Sequence, residues 1–417
     1  MRAALSILSA LALTGAAAAE PAYVLVPDRV FDGENMRAGW KVRVENGRIV
    51  AAGPTVDETG AERVMLDGAT LTPGLIDLHS HIFLHPYDET DWNDQVLRES
   101  LAERTARAAN HLRATLTAGF TTLRETGTEG AGYADVGMKE ALAKGVVPGP
   151  RLLAAGPAMV ATAAYGPKGF HEGVAPPQGA VEVSGRDGVV EETRRQIGGG
   201  ADWVKVYADY RWGPDGEPRP TFSEEELRLI VETAAASGRK TMAHAASDEG
   251  MRRAVAAGVA TIEHGDEGSL ETYRLMARRG VAICPTLGAV EAVTRYDGWD
   301  GSDATRPPLV EAKRTQMRRA LEAGATICNG SDVGVFDHGD NAWELELLVA
   351  YGMTPLAAMR AATSVNARII GMDDEIGRIA PGMVADLAAF GGDPSAEISR
   401  LRDVRFVMQQ GAIIRRP

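Results

Sequence analysis

The stretch LTPGLIDLHSHIFLH, from Leu71 to His85, is an apolar run that ends in two histidines separated by one residue. Side chains alternate faces along a strand, so Leu75, Asp77, His79 and His81 share one face and Ile76, Leu78 and Ser80 the other. Two imidazoles at the end of one strand face are spaced to hold a cation. Further strands ending in the same way would complete a site.

Seven more β-type runs follow: TTLRET (121–126), RLLAAG (151–156), WVKVY (203–207), KTMAHA (240–245), ATIEHG (260–265), VAICPTL (281–287) and TICNGSD (326–332). Helical patterns lie between them. SEEELRLIVETAAASG begins at Ser223 with Glu226 three residues on, a capping box, and ends at Gly238; SDEGMRRAVAAG and LVEAKRTQMRRALEAG also end in glycine. This alternation predicts an α/β protein with a parallel sheet, and eight units predict closure into a (β/α)₈ TIM barrel over 74–379. Short strands with Asp-Gly and Asn-Gly turns precede and follow it, predicting one small discontinuous β-sandwich domain from 20–73 and 380–417.

The chain of 417 residues is 45% hydrophobic and 24% charged, with a net charge of -13. That charge disfavours nucleic acid, whose phosphates need clustered Lys and Arg. Arg2, an apolar centre from Ala3 to Leu13 and small residues before Glu20 form a signal peptide over 1–19, so an exported, periplasmic or secreted protein is expected. No apolar run reaches the roughly 18 residues of a membrane span. The sequence allows a homo-oligomer without specifying one. Cys284 and Cys328, the only cysteines, each lie in an apolar strand-like segment and read as two buried free thiols.

The polar residues at the C-terminal ends of the runs are His79 and His81, Lys205, His244, His264 and Asp332. In a barrel all six converge on one mouth. One such histidine is ordinary; His-x-His with two more in register points to metal. An ammonium among these groups offers no lone pair. Lys205 is therefore either paired with a carboxylate or, as a neutral amine, combined with carbon dioxide to give a carbamate that binds metal as a carboxylate would. Around the mouth, Tyr207 shares the parity of Lys205, while Tyr210 and Arg211 follow in the next loop and could bind a substrate carboxylate. His171 and His338 fall in loops expected over the mouth. His85 reads as either a surface or a substrate contact, and His111 and Glu346 as helix-surface or helix-packing residues.

PGLIDLHSH, VKVYA, AHA, IEHG, GSD and the closing IGRIAPGMVADLAAF together resemble the amidohydrolase superfamily over nearly the whole chain after the signal segment. WVKVYADYRWGPDG, AHAASDEGMRRAVAAGV and SDVGVFDHGDNAWELELLVAYGMTPLAAMRAAT are most similar to its imidazolonepropionase-related, prolidase-like dipeptidases and carboxypeptidases, a branch that includes ochratoxin-hydrolysing enzymes. The resemblance implies a distorted barrel with two divalent ions, zinc by expectation. His79 and His81 would bind one ion and His244 and His264 the other. Lys205, as N6-carboxylysine, would bridge them, and Asp332 would contact the first ion and shuttle a proton. Two such ions, about 3.5–4 Å apart, would lower the pKa of a bridging water, hold it as hydroxide and polarise the substrate carbonyl. The expected substrate is a dipeptide or N-acyl amino acid with a free C-terminal carboxylate. A cyclic amide or lactone, or a non-catalytic metal-binding role, are the competing expectations.

Overall fold

Pro73 and Gly74 mark the passage between two kinds of sheet in the computed structural model, which describes residues 21–417. The expected signal segment, 1–19, lies outside the described residues. The strand Glu62–Pro73 pairs in parallel with Tyr23–Phe31 and antiparallel with Leu387–Gly391. Gly74 then passes so close to Thr121 that a Cβ would lie 2.1 Å from its Oγ1, and the strand Leu75–Ser80 begins. Residues near both ends of the chain thus form one mixed eight-stranded sheet, in the order Ala412–Arg415, Val404–Gln409, Leu387–Gly391, Glu62–Pro73, Tyr23–Phe31, Lys41–Glu45, Arg48–Gly53, with Met36–Ala38 beside Tyr23–Phe31. Its hairpin at Asn46-Gly47 has φ of 49° and 73°, the left-handed pair that an Asn-Gly turn supplies.

The remaining long strands are parallel and alternate with helices. Leu75–Ser80, Phe120–Glu125 and Arg151–Leu153 form one sheet; Val181–Val183, Met159–Ala161, Trp203–Tyr207, Lys240–Ala245, Thr261–His264 and Ala282–Cys284 form another. The eighth run is not a regular strand. It touches its neighbours through single parallel bridges, Ile283 to Ile327 and Ser80 to Val333. The first strand shapes it: Ser331 turns its backbone N–H and hydroxyl to Asp77, Asn329 donates to the Ile76 carbonyl, and Asp332 has φ of 64°. The helix Glu224–Ala235 begins at the expected Ser223/Glu226 capping box and buries Leu227, Ile230 and Ala234 at spacings of three and four. Each large apolar side chain so buried contributes about 1.5–3 kcal/mol.

The cysteines depart from expectation. Cys284 and Cys328 are joined as a disulfide, 4.8 Å apart at Cα. The bridge between Ile283 and Ile327 places the two residues side by side, an adjacency invisible when each segment is judged alone. Among the described residues no helix is long and apolar enough to cross a membrane.

Candidate active site

His79 and His81 leave the end of Leu75–Ser80 on one face, as their spacing predicts, with ring centroids 5.4 Å apart. His79 is also 5.1 Å from His264, which is 4.5 Å from His244. Asp332 closes the group: its carboxylate lies 3.6 Å from His79 Nε2, 3.4 Å from His81 Nε2 and 3.9 Å from His264 Nδ1. Ligand atoms of His79, His264 and Asp332 all fall within 4.8 Å of one another. Both His264 and Asp332 hold left-handed backbones, φ 73° and 64°, rare for residues with a Cβ. Such strain, about 1–3 kcal/mol each, turns these side chains off the strand alternation and toward the cluster. Gly330 permits the close approach, since a Cβ there would lie 3.0 Å from that of His79.

Hydrogen bonds orient the rings. His79 Nδ1 donates to Glu263 Oε2 at 2.8 Å and His81 Nδ1 to the Gly127 carbonyl at 2.8 Å, so each Nε2 is the acceptor nitrogen; that of His81 also lies 3.2 Å from Thr126 Oγ1. Among the described residues His79 Nε2 and His244 Nδ1 are buried without a hydrogen-bond partner. Burial, reinforced by the Lys205 cation, holds His79 well below the usual histidine range and His81 down at about 3, so both stay neutral donors to a cation. Burial pushes Asp332 up to about 7 against the pull of Lys205. Lys205 itself is fully buried, its Nζ without a hydrogen-bond partner among the described residues and its pKa lowered by desolvation. The carboxylate partner that would make it an ordinary ion pair is not within hydrogen-bond reach.

Under this face lies a buried chain that inspection of strand ends alone does not find. Arg124 Nη2 donates to Glu263 Oε1 at 2.8 Å and Arg124 Nε to the Leu78 carbonyl at 2.7 Å, with the guanidinium 4.6 Å over the Trp203 ring. Arg124, Glu263 and His79 are all fully buried. The signal was present as charged residues inside the apolar runs TTLRET and ATIEHG.

The cluster opens into a cavity of about 500 Å³ whose lining includes His81, His244, His264, Asp332, Tyr207, Tyr210 and Arg211. Tyr207 stacks on His244 at 4.4 Å, as their pairing in register requires, but its hydroxyl points to Glu129 Oε1. Arg211, on the hairpin of Asp209–Arg211 with Pro218–Pro220, is exposed and forms no ion pair among the described residues. Glu129, which strand-end reasoning missed, also lines the cavity. Its chain position beyond the second strand, past Gly127, gave no periodic signal.

Two expected mouth histidines are elsewhere. His171 is exposed and its Nδ1 accepts from the Gly173 N–H, whereas His338 is half-buried, stacked 4.1 Å from His111 and bonded to the Leu84 carbonyl. Neither borders the cavity. His338 is held back by packing that the loop sequence does not reveal. His85 is buried between Glu89 and Glu99, and Glu346 pairs with Arg402.

The sequence model of the Amidohydrolase family matches residues 70–415. The chain belongs to the amidohydrolase family. It is 31% identical over 363 residues to an ochratoxinase of Aspergillus niger, covering 81% of this chain and 73% of that one. An imidazolonepropionase of Geobacillus kaustophilus is 25% identical, covering 84% and 83%. Among solved structures, an Xaa-Pro dipeptidase with methionine bound in its active site superposes with a TM-score of 0.83 at 28% identity, covering 94% of this chain and 100% of that one. This amidohydrolase is accordingly a hydrolase of carbon–nitrogen bonds. Its His, His and Asp cluster suits the divalent metals that the family typically binds.

Proposed function

We propose that the protein hydrolyses the last amide bond of a dipeptide or N-acyl amino acid with a free C-terminal carboxylate. The observation that carries this reading is the junction of two features in one cavity: a cluster of histidines with Asp332, and the ion-pair-free guanidinium of Arg211. The donor set fits two ions. His79 and His81 would hold one, His244 and His264 the other, with Asp332 on the first. The partnerless Nζ of Lys205, buried among these groups, fits a carbamate formed from its neutral amine and bridging both. When bound, divalent ions, zinc in this reading, supply an activated water and polarise the scissile carbonyl.

The chain's own groups do the rest. Asp332 takes the proton released on attack and delivers it to the amide nitrogen, which leaves only as an amine. A cation held beside Asp332 would favour its carboxylate form, opposing burial, and leave it able to accept that proton. Glu263, fixed by Arg124, holds the His79 tautomer. Arg211 and Tyr210 bind the substrate carboxylate; Tyr207 contributes its ring rather than its hydroxyl. The methionine in the active site of the similar Xaa-Pro dipeptidase is itself a free amino acid, which supports this assignment. The two parallel sheets, bridged by Ile327 and Val333, fit arcs of one distorted (β/α)₈ barrel over 74–379, with the β domain of 20–73 and 380–417 against it. A disulfide supports export, since such bonds persist in oxidising compartments.

The likeness to an imidazolonepropionase favours a cyclic amide as the second reading. Metal-loaded protein assayed on dipeptides, their C-terminal amides, hydantoins and lactones separates the two. The carboxylate reading expects amidation to lower kcat/KM by about 10–100-fold, because a neutral amide forfeits the charge-assisted bonds that Arg211 and Tyr210 give a carboxylate. Equal rates on free and amidated dipeptides would reject it. Turnover of hydantoins alone would select the cyclic reading.

A further inference from the structure

Glu129 has no part in the chemistry described so far, yet it is built with care. It is 2% exposed, borders the cavity and has φ of 47°, a left-handed backbone on a glutamate. The backbone there is pinned by Arg104, a buried guanidinium that donates to the Thr128 and Glu129 carbonyls at 3.2 and 2.8 Å. Its carboxylate is held by donors alone: Trp92 Nε1 at 3.0 Å and Tyr165 Oη at 2.7 Å on Oε2, and Tyr207 Oη at 3.4 Å on Oε1. Three donors suit an ionised carboxylate, which only accepts. The bonds are uneven, however. Oε2 takes the two short ones and Oε1 one long one, so Oε1 keeps capacity for a further donor. The rings of Tyr165, Tyr207 and Tyr210 pack edge to face or tilted at 4.8–5.9 Å, adding aromatic surface that favours a cation. Arg211 lies on the Tyr210 side of the same cavity.

We propose that Glu129, within its collar of Trp92, Tyr165 and Tyr207, is a specificity residue that receives the N-terminal ammonium of the substrate. This inference rests on the peptide-hydrolase reading and narrows it. Arg211 takes the carboxylate of one end and Glu129 the ammonium of the other, so the preferred substrate is an unblocked dipeptide rather than an N-acyl amino acid. An acylated nitrogen brings no charge to Glu129 and leaves its spare acceptor unpaired in a buried site.

The test is a panel of dipeptides and their N-acetyl derivatives with identical residues, assayed on metal-loaded wild type, Glu129→Gln and Glu129→Asp. The wild type is expected to prefer the free form by about 100-fold or more in kcat/KM. Glu129→Gln should reduce that preference at least about tenfold, through KM for the free dipeptide, and Glu129→Asp should retain part of it. Circular dichroism and thermal melting verify that each variant folds. If Glu129→Gln does not fold, the wild-type ratio and Tyr165→Phe, which removes one donor but keeps the ring, decide. Equal wild-type rates on both forms, or an equal fall on both in Glu129→Gln, overturn the assignment alone. Hydrolysis of neither form overturns the peptide-hydrolase reading and this assignment with it.

Discussion

Lys205 shows what a single side chain can disclose and what it cannot. Its place inside WVKVY, on the strand face that ends in Tyr207, was legible in the sequence. Its lack of a partner needed the structure. If a carbamate on Lys205 bridges the ions, Lys205→Ala should lose metal and activity together, as elemental analysis and an amide assay would show, and a small carboxylic acid such as propionate should restore part of both. Full metal content and turnover in untreated Lys205→Ala would exclude the bridge. Asp332→Asn keeps the shape but cannot carry the proton, so turnover should fall roughly 10²–10⁴-fold with the fold intact; steady-state kinetics beside a thermal melt decide it. The proposed metal-binding positions were legible because each is a polar residue within or at the end of an apolar run. Arg124, Glu263 and Glu129 were not, because what recruits them is a partner distant in sequence: Glu263 meets His79 across 184 residues.

At the scale of elements, pairing decides what local patterns cannot. Cys284 and Cys328 look alike in composition to buried thiols, and only the bridge between Ile283 and Ile327 brings them together. Their bond closes a 44-residue loop, worth about 4 kcal/mol in the chain-entropy picture. Cys284→Ala/Cys328→Ala should therefore lose about 2–4 kcal/mol, read as a lower urea midpoint without reductant. An unchanged midpoint would mean the bond adds nothing. The helix Leu101–Thr117 carries a second device. His111 stacks on His338 and donates to the Ile82 carbonyl, and burial lowers its pKa to about 4. A histidine kept neutral in the fold but free to charge when unfolded stabilises above its unfolded pKa near 6.5, and that stability is lost as pH falls from there through about 4. The loss is about 3 kcal/mol at most. His111→Asn, which keeps a donor without the titration, should show a shallower fall in urea midpoint between pH 7 and pH 4 than the wild type. Parallel curves would reject the linkage.

For the whole molecule, alternation of strand and helix was legible, while the irregular eighth segment was not, because it is shaped by side chains of the first strand such as Asp77. The Asn-Gly hairpin was equally readable from turn chemistry alone. How the two ends of the chain meet is a matter of long-range pairing, and it has a consequence for truncation. The strand Val404–Gln409 faces two cores: Phe406 and Met408 pack with Leu387, Leu71 and Val44 of the mixed sheet, and Val404 and Val407 with the large cluster that contains Leu116 and Phe120. The next strand, Ala412–Arg415, is mostly exposed at the sheet edge. Ending the chain after Gln410 removes little buried surface and should leave a soluble protein whose melting temperature falls by a few degrees at most. Ending it after Asp403 removes four buried apolar side chains, at about 1.5–3 kcal/mol each, a sum comparable to the about 5–15 kcal/mol that holds a typical domain folded. It also bares the edge of Leu387–Gly391, the strand paired to Glu62–Pro73, from which the chain runs directly to His79. Soluble yield, a cooperative calorimetric transition and metal content should all be lost in the shorter chain and kept in the longer one. A metal-binding, cooperatively melting protein ending at Asp403 would show that the mixed sheet is dispensable to the site.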